Sequence, residues 1–137
     1  MRFVLDVVEH GDSGNVKLKD VARRQAISEK YLWQVVTPLK AAGIVNSVMG
    51  PGGGYTLAKP LGAITLRDIL EVLEGDQESV RCLNESSVCA RSAACVSREI
   101  WRELDAKLAA VMDSITLKDM VDRQRQMAGD VTPTYCI

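Results

Sequence analysis

The residues with the most chemistry to offer are Cys82, Cys89 and Cys95, which share one stretch reading C-L-N-E-S-S-V-C-A-R-S-A-A-C. The side chains between them are mostly small or polar, among them Ser86, Ser87, Ser92 and Ala93, and give a hydrophobic core little to bury. The stretch reads as a loop held to carry thiolates. Three thiols in one loop can stay free, pair as a disulfide, or ligate a soft metal. Structural zinc sites usually pair cysteines at C-x-x-C spacing and need a further N or S donor, and that spacing is absent here. Iron–sulfur clusters are held by thiolates at spacings that vary between families. Spacing alone leaves a cluster, redox-active thiols and zinc all open.

Composition bounds the setting of that loop. With 137 residues, 47% hydrophobic and 26% charged, the chain is globular and long enough for one domain with a real core, or one domain plus an appendage. It contains no apolar run of about eighteen residues, the length that would read as a transmembrane helix. Asp6 and Glu9 interrupt the opening M-R-F-V-L-D-V-V-E where a signal peptide needs unbroken apolar residues. A cytoplasmic protein is expected, and there clustered cysteines point to metal or redox chemistry rather than to structural disulfides. Net charge is −1, but residues 1–60 hold eight Lys/Arg against five Asp/Glu while residues 61–137 hold nine against thirteen. A basic front and an acidic back place any nucleic-acid face on the first half.

Several elements must position the loop. Phe3, Val4, Val7 and Val8 have helical spacing and end at Gly11, with no capping residue ahead of them. Leu18, Val21 and Ala22 give the stripe of a short second helix, with Lys19, Arg23 and Arg24 outward. Ser28 can cap a third helix whose Leu32, Val35, Val36 and Leu39 face inward and which Gly43 closes, with Pro38 expected to kink its end. Two short helices joined by a tight turn form the helix-turn-helix pattern, whose second helix enters the major groove. Ser28, Lys30, Tyr31 and Gln34 lie outward near its start, where Gln34 can pair with adenine and Ser28 and Lys30 can reach bases or phosphate. Any exposed amphipathic helix shows comparable residues.

Ile44–Met49, the turn G-P-G-G-G and Tyr55–Ala58 then read as a hairpin, the wing of a winged helix. Its Gly52, Gly53 and Gly54 would let the backbone approach DNA closely, with Tyr55 supporting them. A phosphate-binding loop fits poorly, because no Lys-Ser/Thr or helix follows the glycines. Thr65 caps a helix carrying Leu66, Ile69, Leu70 and Leu73. Beyond the cysteines, Ile100, Trp101, Leu104, Leu108, Val111, Met112 and Ile115 mark the longest periodic run. Trp101, Leu104, Leu108, Val111 and Met112 are expected to form a two-fold dimer interface, the alternative being that the stripe packs on its own head. Thr116 caps a last helix reaching about Gln126, and the rest to Ile137 looks loose.

These segments together carry a resemblance. LKDVARRQAISEKYLWQVVTPLKAAGIVNSVMGPGGGY, ITLRDILEVLEG, the three cysteines, WRELDAKL and SITLKDMV resemble, in order and over nearly the whole chain, the IscR/NsrR/CymR family of bacterial winged-helix regulators, its IscR branch most of all. The fold implied is mainly α with a small β-hairpin wing: a winged helix-turn-helix head over 1–60, a linking helix and cysteine loop over 61–96, and a long dimerisation helix with a C-terminal segment over 97–137. The function implied is that of a dimeric, non-enzymatic regulator, a repressor that binds double-stranded operator DNA. It would sense iron–sulfur or redox status through a [2Fe–2S] or [4Fe–4S] cluster on Cys82, Cys89 and Cys95. DNA contacts carry over onto Ser28, Lys30, Tyr31 and Gln34, with wing support from Gly52 to Tyr55.

The sequence also departs from the family pattern. That pattern begins upstream of Met1, so the first turn of the first helix is expected to be missing or the start misassigned. The first cysteine gap is longer than in IscR, and the position of IscR's histidine ligand, three residues after the last cysteine, is Arg98 here. Met49 stands where relatives often carry arginine. The fourth cluster donor is open among Glu85, Glu99, Cys136, a residue upstream of Met1, and an exogenous molecule or water; His10, the sole histidine, suits a core or surface role. An incompletely ligated cluster would be lost readily in air. Two other functions compete: a cluster-free regulator of the same fold that responds to thiol oxidation or a partner, and a small iron–sulfur electron-transfer protein.

Overall fold

A computed structural model describes residues 1–75 and 78–129. The order is α1 (Arg2–Gly11), α2 (Leu18–Gln25), α3 (Glu29–Ala41), β1 (Val45–Val48), β2 (Gly54–Leu57), α4 (Leu66–Glu74), α5 (Val96–Ser114) and α6 (Leu117–Gly129), with 3-10 turns at Leu61–Ala63, Ser86–Val88 and Ser92–Ala94. This is the mainly helical winged helix-turn-helix expected, extended by a long helix.

Local chemistry sets most boundaries. α1 starts without a side-chain cap. Ser28 caps α3 by accepting the Tyr31 N–H at 3.2 Å, and α3 runs through Pro38 to Ala41. Between α2 and α3 the chain reverses at Ala26, whose φ of 52° is left-handed and whose N–H, like that of Ile27, bonds back to the Ala22 carbonyl. Alanine there costs about 1 kcal/mol of backbone strain. The turn is tight enough to bring α2 and α3 into contact.

The wing is an antiparallel pair, Val45 opposite Leu57 through Val48 opposite Gly54. Val16 adds a bridge to Tyr55, exchanging backbone bonds of 3.0 and 2.8 Å. Two of the wing glycines answer to the protein's own backbone. A Cβ at Gly53 would stand 2.4 Å from the Val48 carbonyl oxygen, and one at Gly54 would stand 2.7 Å from that of Val16.

One core joins the head to the far end of the chain. Phe3, Val4 and Val7 of α1 pack with Val21, Leu32, Val36, Leu39, Ile44 and Val45, and also with Ile64, Ile69, Leu117 and Val121. Each such side chain contributes about 1.5–3 kcal/mol through burial. The starts of α4 and α6 are laced together: Leu66 N–H donates to Ile115 O at 2.8 Å, and Leu117 N–H to Ile64 O at 2.7 Å. Both starts carry Thr–Asp capping boxes, Thr65 with Asp68 and Thr116 with Asp119. α6 then returns to α1, where Gln124 bonds Glu9.

Three sequence expectations need correction. Arg24 does not point simply outward: its guanidinium turns back to Asp6, which is fully buried. Tyr55 is buried with its ring edge-on to Phe3 at a centroid distance of 5.9 Å, so it braces the wing from inside rather than facing DNA. Met112 is buried within its own chain, leaving the other four members of the expected interface exposed.

Candidate nucleic-acid interface and cysteine loop

α3 presents one continuous outer surface. Lys30, Gln34 and Thr37 lie opposite the buried Leu32, Val36 and Leu39, as the 3.6-residue period requires. The expected contacts Ser28, Lys30, Tyr31 and Gln34 are all exposed. The Ser28 hydroxyl is partly committed, since it already accepts the Tyr31 N–H. Tyr31 and Gln34 also edge a groove of about 420 Å³ whose other walls include Phe3 of α1 and Leu73 of α4. One exposed side chain of α3 was not singled out from sequence: Trp33, 57% exposed; Met49, noted for standing where relatives often carry arginine, is 91% exposed beside the wing turn. The signal for Trp33 was present, because it lies three residues from Lys30 on the same helix.

The α1–α2 junction stabilises that surface. Asp6 accepts Arg24 Nε at 3.1 and 3.2 Å and Gln25 Nε2 at 2.9 Å. Arg2 donates to the Gln25 side chain at 3.1 Å and to its carbonyl at 2.7 Å. Burial pushes the Asp6 carboxyl up, but the hydrogen bonds from Arg24 and Gln25 and the Arg24 charge more than offset it and hold it below its ordinary value. His10, at the end of α1, sets Nδ1 3.1 Å from the Asp6 carbonyl. It is engaged within α1, far from the cysteine loop in sequence.

All three cysteines of the loop are free thiols. Cys82 and Cys95 are half-buried and Cys89 is exposed; Cys95 is also the residue that precedes α5 as its N-cap. Arg98, one turn into α5, ties the two flanks of the loop together. It donates to the carbonyls of Cys82 at 2.7 Å and of Leu83 and Ser92 at 3.4 Å. Ser79 closes the approach from α4, its N–H and hydroxyl both donating to Asp105 of α5. Thiolate donors suit a soft metal or an iron–sulfur cluster. In this arrangement, among the described residues, no three Cys, His, Asp or Glu side chains are gathered to hold a metal. Glu85 and Glu99 therefore remain candidate completions without a gathered donor set around them, and Cys136 lies outside the described residues.

α5 shows a second bare surface. Ile100, Trp101, Leu104, Leu108 and Val111 are all exposed, while Asp105, Ala109 and Met112 turn toward the chain's own body. No helix among the described residues is long and apolar enough to cross a membrane.

Known proteins share this arrangement. Residues 1–123 match the Rrf2 family, described as "Iron-dependent Transcriptional regulator". The HTH-type transcriptional regulator IscR of Klebsiella pneumoniae subsp. pneumoniae is 35% identical over 121 residues, spanning 88% of this chain and 74% of that protein. Among solved structures, CymR, the global cysteine regulator of B. subtilis, superposes with a TM-score of 0.73 at 34% identity, covering 89% of both chains. IscR of T. potens gives 0.71 at 35% identity, covering 90% of this chain and 80% of the other. Relatives named as transcriptional regulators, matched across the helix-turn-helix, wing and long helix described above, make this chain a DNA-binding transcriptional regulator of the Rrf2 family.

Proposed function

We propose that the protein is a homodimeric operator-binding repressor that senses iron–sulfur status through Cys82, Cys89 and Cys95. The observation that carries this reading is the position of three free thiols in one loop that runs directly into α5. α5 bears an uncovered apolar stripe suited to a two-fold partner. A ligand on the thiols would therefore act next to the helix that fixes how two heads are spaced on DNA. The family description, iron-dependent, points the same way. Because the thiols are not gathered as folded, cluster ligation has to draw the loop together, and the remaining donor is unassigned.

A second reading is a cluster-free regulator that responds to thiol oxidation or a partner. It is favoured by the ungathered thiols and by the likeness to CymR.

Anaerobic purification separates the two. The expected result is a brown protein with matched iron and acid-labile sulfide, bleached in air and colourless as Cys82→Ala. It should bind a promoter fragment of its own operon more tightly than random DNA and with a steep salt dependence. Gln34→Ala should weaken that specific binding by about 1–3 kcal/mol and leave non-specific binding nearly unchanged. A colourless, iron-free protein that still binds its promoter would establish the thiol or partner reading instead. Binding no tighter than to random DNA would remove the operator claim.

A further inference from the structure

Tyr31 and Trp33 flank the polar stripe of α3 on opposite sides, about 200° apart at 100° per residue. Tyr31 borders the groove against α1 and α4, whereas Trp33 does not. Among the described residues the ring contact present is Phe3 with Tyr55, so the Trp33 indole stacks on no other ring. Thr37, one turn on, donates its hydroxyl to the Trp33 carbonyl at 2.8 Å rather than offering it to a ligand. Single exposed apolar side chains are common on protein surfaces; Trp33 differs in its position. It stands in the first half of the recognition helix, between Lys30 and Gln34 on the basic half of the chain.

That half of such a helix meets base edges in the major groove. Most features there are hydrogen-bond donors and acceptors; the apolar one is the C5-methyl group of thymine. An indole is a large apolar face with a single N–H donor, so it suits the methyl group and one neighbouring acceptor. We infer that Trp33 is a specificity-determining residue, its indole packing on a thymine methyl in each operator half-site. This rests on α3 being the DNA-reading helix. Sequence preference would then come from two contacts of different kind, Gln34 by hydrogen bonding and Trp33 by methyl contact.

The test uses the full-length protein and a randomised double-stranded oligonucleotide pool. Selection with the unmodified protein should enrich a thymine at one symmetric position in each half-site, and selection with Trp33→Ala should lose that preference while keeping the rest of the motif. Deoxyuridine in place of that thymidine removes only the methyl group. It should weaken binding of the unmodified protein by about fourfold per half-site, from the transfer free energy of one carbon. Trp33→Ala should bind both DNAs equally. The inference is overturned if Trp33→Ala selects the same motif with the same thymine, or if deoxyuridine weakens both proteins alike. Unchanged DNA recognition would assign the indole to a contact with another protein. If neither protein enriches any sequence, the operator-binding reading itself fails, a result distinct from loss of the thymine alone.

Discussion

Asp6 is charged, fully buried and paired, and nothing in its local sequence marks it as different from Glu9, which stays at the surface. Its carboxylate receives Arg24 and Gln25 from α2 across eighteen and nineteen residues of chain. Replacing one member of a buried pair strands the other, and Asp6→Ala should cost about 3 kcal/mol. Denaturant unfolding at neutral pH would measure that loss. The pH dependence follows from the direction of the shift. The folded carboxyl titrates below its ordinary value of 3.8, so its contribution is complete above that pH. It is lost as pH falls through the lower folded value. Acid titration of the unmodified protein should therefore show a stability loss below about pH 4 that Asp6→Ala lacks.

At the scale of elements, the cysteine loop is held mainly from its flanks. Arg98 fastens carbonyls at both ends of it to the first turn of α5. Bonds from a charged donor are worth about 1.5–3 kcal/mol each at good geometry, and the Cys82 contact at 2.7 Å is the strongest of the three. Arg98→Ala should loosen the loop without unfolding the head. The rate at which half-buried Cys82 reacts with a maleimide should rise several-fold toward that of exposed Cys89, while thermal unfolding of the core changes little. An unchanged Cys82 rate would mean that the loop is held elsewhere. The wing shows the complementary case. Its glycine run was legible as a turn, but the reason for Gly53 and Gly54 was not, because the carbonyls they approach belong to Val48, Gly50 and Val16.

For the whole molecule, the exposed stripe on α5 is the surface through which the proposed dimer would form. With Ile100, Trp101, Leu104, Leu108 and Val111 in water, the outer face of α5 presents an apolar strip of the kind that marks interaction sites. Introducing a charge at Leu104 or Leu108 removes apolar burial twice in a two-fold contact. At about 1.5 kcal/mol or more per leucine, Leu104→Glu should raise the dimer dissociation constant by at least about a hundredfold. Sedimentation would then show monomers at concentrations where the unmodified protein is dimeric, and operator affinity should fall with it. Sedimentation of the unmodified protein as a monomer would return the stripe to some other partner.

Local chemistry made much of this protein readable from residues alone. Ser28, Thr65 and Thr116 cap helices because a hydroxyl reaches an N–H three residues on, and periodic apolar residues mark α1 to α6 because a helix repeats every 3.6 residues. The G-P-G-G-G turn and its flanking strands follow from similar short-range rules. Pairings between distant segments were not legible. That Asp6 turns inward, that Tyr55 meets Phe3, that Met112 is covered while Leu108 is bare, and that α6 returns to α1 all depend on which surfaces the packed core brings together. The cysteines show the division most plainly. Their types and proximity in sequence identify a thiol loop, but whether their sulfurs converge depends on the path the loop takes between Ser79 and Arg98, which tertiary contacts with α5 decide.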